Sequence, residues 1–143
     1  MASQLEVAVV NAEGWSVEED AAGQTYRTTT RLHALAGQPF CNSEIRIADD
    51  IYVRAPARFA SEIVVTVLED LGIEIASARQ KIGISYATLG TAEVLGIPVN
   101  SAVFRVHRSF YDAGGKVIYS AVLTYPGDRL DLDIEFTLGA GGS

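Results

Sequence analysis

Hydrophobic and polar positions alternate with a period of two through residues 103–125, on either side of Gly114-Gly115. Both flanks are rich in Val, Ile, Phe and Tyr, and the glycines suit a two-residue turn, so this stretch predicts a β-hairpin. The register that follows pairs Phe110 with Tyr119, Arg108 with Ala121, Val106 with Leu123 and Phe104 with Tyr125. All eight fall on one face, where Arg108 is the single charge. A second hairpin is predicted at residues 25–47, turning at Gly37-Gln38. Setting Ala36 against Pro39 places Leu35, Phe40, His33, Asn42, Arg31, Glu44, Thr29 and Arg46 on one face, and Leu32, Ala34, Cys41, Ser43 and Ile45 on the other. The two hairpins superimpose at an offset of 77 residues, Arg31 falling on Arg108 and Gly37 on Gly114, a weak internal repeat. In each, an arginine stands six residues before the turn glycine, so the two arginines are expected to project to equivalent sides.

The remaining pattern fills in around the hairpins. Residues 5–10 read as a strand, and residues 14–24 as a polar loop in which Trp15 is a packing anchor. Pro56 at a first helical position, followed by Phe59, Ile63, Val67 and Leu71 and closed by Gly72, predicts a helix over 56–71. The β-branched run at 63–67 leaves a strand open as the alternative. Residues 73–85 alternate as a strand, and 87–95 form a short helix with Gly96 as its stop and Pro98 beyond. After a turn at 126–129, residues 130–138 alternate Leu, Ile and Phe with acids and predict a final strand, with Asp131, Asp133 and Glu135 facing water. Strands arranged in hairpins with intervening helices indicate an α+β fold. Its antiparallel sheet is built from two related hairpins plus a C-terminal strand and covered by two helices. Parallel βαβ alternation does not fit. The organisation expected is an N-terminal strand and linker at 1–24, one domain at 25–138 and a glycine-rich tail at 139–143.

Composition narrows the functional classes. The 143 residues are 48% hydrophobic and 20% charged, enough for one real core. A net charge of −7 with no Lys/Arg cluster argues against nucleic-acid binding by this chain itself. The single cysteine, Cys41, excludes an internal disulfide, and with only His33 and His107 no Cys/His metal spacing exists. No metal and no cofactor are expected. The N-terminus lacks a signal peptide, and no apolar run reaches a membrane span, so a soluble, cytoplasmic protein without membrane contact is expected. Nucleophile-elbow, phosphate-loop, dinucleotide and zinc motifs are all missing.

What remains is the set that the predicted register gathers on one face: Arg31, His33, Asn42, Glu44, Arg108, Tyr119 and Tyr125. Guanidinium forks would hold a small anion there, with hydroxyls and amides orienting it and aromatic rings closing over an apolar body. An exposed Arg31–Glu44 pair would alternatively be an ordinary cross-strand ion pair, worth under about 1 kcal/mol. Arg108, among Val106, Phe110, Ala121 and Leu123, needs a partner if it is desolvated.

Several motifs in this order, Leu95-Gly96-Ile97-Pro98, Arg108-Ser109-Phe110-Tyr111-Asp112 and Tyr125-Pro126-Gly127-Asp128-Arg129, resemble the UTRA domain. That domain is the effector-binding half of HutC/FarR-type GntR transcription regulators, and the similarity runs over residues 25–136. The resemblance implies a chorismate lyase-like fold without catalysis, a small metabolite as effector, a homodimer, and DNA contact only through a winged-helix domain that these residues do not contain. Relatives that bind phosphosugars carry basic residues at the positions of Arg31 and His33, an acid near Ser43 or Glu44, and the tyrosine matching Tyr125. They have a glutamate where this chain has Tyr119. That departure, with His33 in place of a second arginine, favours a less highly charged carboxylate over a phosphosugar. A chorismate lyase-type enzyme, with Arg31, Glu44 and Arg108 holding an anionic substrate, is the alternative.

Overall fold

Two long hairpins lie side by side and form most of one antiparallel sheet. The computed structural model describes residues 14–128 in full and residues 7–12 as backbone. The strands are β1 (Val7–Ala12), β2 (Ser16–Glu19), β3 (Thr25–Leu35), β4 (Gln38–Ala48), β5 (Ser77–Tyr86), β6 (Ala102–Tyr111) and β7 (Val117–Pro126). Their order is β1-β3-β4-β7-β6-β5, with β2 pairing the remaining stretch of β3. Among the described residues four short helices, α1 (Asp49–Tyr52), α2 (Pro56–Ser61), α3 (Val64–Asp70) and α4 (Leu89–Leu95), give the sheet its α+β architecture. The final strand expected at 130–138 and the tail at 139–143 lie outside the described residues.

The β6–β7 hairpin keeps the predicted register: Phe110 faces Tyr119, Arg108 faces Ala121, Val106 faces Leu123 and Phe104 faces Tyr125. Its tip differs. The Asp112 carboxylate accepts from the Gly114 and Lys116 amides, both at 2.9 Å, so the turn starts at Asp112 and only Gly115 takes a positive φ, 83°. A bulge between Phe110 and Tyr111 absorbs the change.

The β3–β4 hairpin departs from its predicted register, with consequences for the site. Its turn residues are Ala36 (φ 52°) and Gly37 (φ 78°), between the paired Leu35 and Gln38. Two successive left-handed residues are what a type I′ turn needs, and here alanine accepts that conformation. Below the tip a shift between His33 and Ala34 leaves His33 against Cys41, Arg31 against Ser43 and Thr30 against Glu44. Relative to the expected pairing, β4 is moved by one residue, which exchanges its two faces.

The helices α1 to α3 cover one face of the sheet. Phe59, Val67 and Leu68, all with no exposed surface, pack on Ile45, Ile47, Tyr119 and Ala121, and each such burial contributes roughly 1.5–3 kcal/mol. Trp15 is the anchor expected of it: its ring lies 5.2 Å from Tyr52, which stacks in turn on Phe59 at 6.0 Å. The single helix expected over 56–71 is broken into α2 and α3, with Glu62 and Ile63 extended between them. The cause is remote in sequence. The Arg31 guanidinium donates to the carbonyl oxygens of Phe59 and Glu62, occupying the Phe59 oxygen that a continuous helix would give to Ile63. At the other end of the region Gly96 closes α4 in the left-handed conformation, φ 66°, as its sequence position implies.

Candidate functional site

A cavity of about 620 Å³ lies between the covered face of the sheet and the α2–α3 junction. Its floor is built from four strands by alternation. β3 supplies Arg31 and His33, β4 supplies Cys41 and Ser43, β7 supplies Tyr119, Leu123 and Tyr125, and β6 supplies Arg108. Residues 61–65, including Ile63, Val64 and Val65, form the opposite wall, and Phe40 closes one end with its ring edge-on to Tyr125 at 5.4 Å.

Arg31 is 4% exposed, and two of its donors go to the Phe59 and Glu62 carbonyls, the second at 3.1 Å. Its guanidinium also sits 5.7 Å from the Trp15 ring. Among the described residues no acid pairs with it, so a nearly buried cation faces the cavity with neutral partners alone. Burial works against its charge, holding its pKa below the ordinary arginine value. Arg108 is half-buried and donates from Nε to Gln80 Oε1 at 3.0 Å, and its charge acts on the Tyr119 phenol. The Tyr119 phenol therefore lies in the field of both arginines, while burial raises its pKa.

Apart from Glu62, whose carboxylate is paired with Arg58, the rest of the wall is neutral. Burial, and then the Arg31 charge, hold His33 below its usual value, which favours the uncharged imidazole. Burial pushes the Cys41 thiol up, and it contacts the Ser43 hydroxyl at 3.6 Å. Tyr125 is likewise raised, first by burial and then by Cys41. The result is an apolar chamber with two cations and a few hydroxyls at one side, suited to a small anion with an apolar body.

Of the seven residues expected at the site, the cavity brings together Arg31, His33, Arg108, Tyr119 and Tyr125. It does not include Asn42 and Glu44. The one-residue shift of β4 turns both to the open face of the sheet, where Glu44 lies 3.9 Å from Arg105. The same shift brings in Cys41 and Ser43, which sequence reasoning assigned to the opposite face. Residues 61–65 carried no signal, because a site wall was hidden inside what read as a continuous helix. Among the described residues no group of three His, Cys, Asp or Glu could hold a metal ion.

Residues 18–131 match the UTRA domain. The chain belongs to the UTRA family. Solved structures agree in fold. YydK from Bacillus subtilis, described as a possible transcriptional regulator, superimposes with a TM-score of 0.78 at 14% identity, over 92% of this chain and 63% of its own. PhnF from Mycobacterium smegmatis gives 0.78 at 18% identity, covering 91% of this chain and 62% of that one. The effector domain of PhnF alone gives 0.75 at 19%, covering 90% and 85%. The chain thus spans a little under two thirds of the YydK and PhnF chains and most of the isolated PhnF effector domain. No curated protein sequence matches it. The UTRA match supports a ligand-binding regulatory domain.

Proposed function

We propose that this UTRA domain is the effector-binding part of a GntR/HutC-type transcription regulator and that it seats a small carboxylate between Arg31 and Arg108, without catalysis. The observation that carries this reading is the nearly buried Arg31, which faces the cavity with no acid among the described residues to pair with. A carboxylate there would supply the missing countercharge and take up donors of Arg108, while Tyr119 and Tyr125 orient it and Phe40 and Val64 enclose its body. A phosphosugar fits less well, because the second basic position is a neutral His33 and Tyr119 offers no acid for sugar hydroxyls.

The lyase-type alternative needed Glu44 beside the two arginines, and Glu44 lies on the other face. Operator contact is assigned to a winged-helix domain outside these residues, the working unit to a homodimer and its setting to the cytoplasm. Among the described residues no helix is long and apolar enough to cross a membrane. A thermal-shift screen tests the proposal. Aromatic or short-chain carboxylates should raise Tm and sugar phosphates should not, and Arg108→Gln should abolish the shift. Stabilisation by sugar phosphates alone would overturn it.

A further inference from the structure

The sheet ends at β5, which among the described residues pairs with β6 alone. It is ten residues long, has no bulge and carries no proline, and nearly all of it is exposed. Edge strands of that kind invite another strand, and natural edges are usually broken, bent or shielded. β5 is instead amphipathic in an unusual sense, because both of its faces are dressed. Register with β6 puts Arg79 and Lys81 on the open face, opposite Ser109 and His107. It puts Ile82 and Ile84 on the helix-covered face, opposite Val106 and Phe104. Ile84 is 68% exposed, and Tyr86 beyond it 66%.

Two features mark this edge as unfinished. Lys81 stands directly across from His107, and a small open cavity of about 290 Å³ is lined by Arg79, Lys81, His107, Ser109 and Tyr111, with no acid among them. Arg79 and Lys81, two residues apart on the same face of β5, are like charges with no acid beside them, and in a chain of net charge −7 acids are not scarce. The complementary pattern exists once in this chain. Residues 130–138, Leu-Asp-Leu-Asp-Ile-Glu-Phe-Thr-Leu, alternate apolar residues with Asp131, Asp133 and Glu135. Laid beside β5 in the phase that sets Asp133 across from Lys81, an acid also meets Arg79, and apolar residues meet Ile82 and Ile84. Phase alone decides this, so the match holds for either strand direction, and a slip of one residue destroys it.

We infer that the free edge of β5 receives residues 130–138 of a second copy of this chain, acids toward Arg79 and Lys81 and apolar residues toward Ile82 and Ile84. The inference rests on the homodimer reading above and names its contact. A second copy is favoured over the same chain by reach. The described chain ends at Asp128, next to Gly127, whose amide bonds Ala102 at the start of β6. From β7 to a position outside β5 is three inter-strand steps, about 14 Å, which would use up roughly four residues, 129–132, and with them Asp131.

Sedimentation or light scattering on the 143-residue chain and three charge variants tests this, with circular dichroism confirming that each is folded. The wild type should have the mass of two copies. Arg79→Glu/Lys81→Glu and Asp131→Lys/Asp133→Lys should each weaken self-association at least about tenfold, and the four changes combined should restore it. A dimer untouched by either pair of changes overturns the edge assignment and leaves the dimer reading standing, whereas a monomeric wild type overturns both. Failure of the combined variant to recover would mean that the two segments do not meet. Loss of thermal stability with no change of mass would place the segment on its own chain and also refute the inference.

Discussion

Arg31 and Arg108 line one cavity, but they are tied to the protein in different ways. Arg31 holds the carbonyls of Phe59 and Glu62 and so joins β3 to the α2–α3 junction, whereas Arg108 leans on the side chain of Gln80. Arg31→Met should therefore lower stability by roughly 2–4 kcal/mol, because two partly buried acceptors lose their donor. It should also speed hydrogen exchange in residues 62–65. Arg108→Gln should leave the denaturation midpoint nearly unchanged and remove carboxylate binding. Paired denaturation and thermal-shift measurements separate the two roles. That both arginines project to one side of the sheet was legible from their matched positions before the turn glycines. That Arg31 spends donors on a helix break was not, since Phe59 and Glu62 lie 28 and 31 residues away and nothing local marks them.

At the scale of elements, the β3–β4 turn decided what the cavity contains. Ala36 takes a left-handed conformation that costs an L-residue about 1–2 kcal/mol, offset in part by the type I′ geometry of the hairpin. Replacing it with glycine should stabilise the domain by about 0.5–1 kcal/mol, read as a higher urea midpoint, with His33 still against Cys41. The sequence made Gly37-Gln38 the natural turn, since glycine is the residue that tolerates positive φ. One position of error there was enough to exchange Asn42 and Glu44 for Cys41 and Ser43. In the β6–β7 hairpin the tip was misread in the same way, yet the bulge after Phe110 cancelled the error, so Arg108, Tyr119 and Tyr125 were placed correctly. Strand identity was readable in both hairpins because period-two alternation is local. Which residue begins a turn depends on competition between side chains such as Asp112 and glycine, and that is a finer balance.

Across the whole molecule, the charge state of His33 links the cavity to global stability. The fold depresses its pKa, so its neutral form favours the native state. That contribution is complete above the unfolded value, about 6.5, and is lost as pH falls through the depressed native value. Urea midpoints measured from about pH 7.5 down to about pH 5 should fall, and His33→Gln should flatten part of that decline. His107→Gln, on the open face, serves as the control.

The single tryptophan sits in a useful place for such measurements. Trp15 touches Tyr52 on one side and faces the Arg31 guanidinium on the other, so it stands one residue behind the cavity wall. Indole emission is sensitive to nearby charge, and no second tryptophan contributes background. The domain thus carries its own optical gauge of whether Arg31 is facing an anion, readable without a dye, a tag or a substitution.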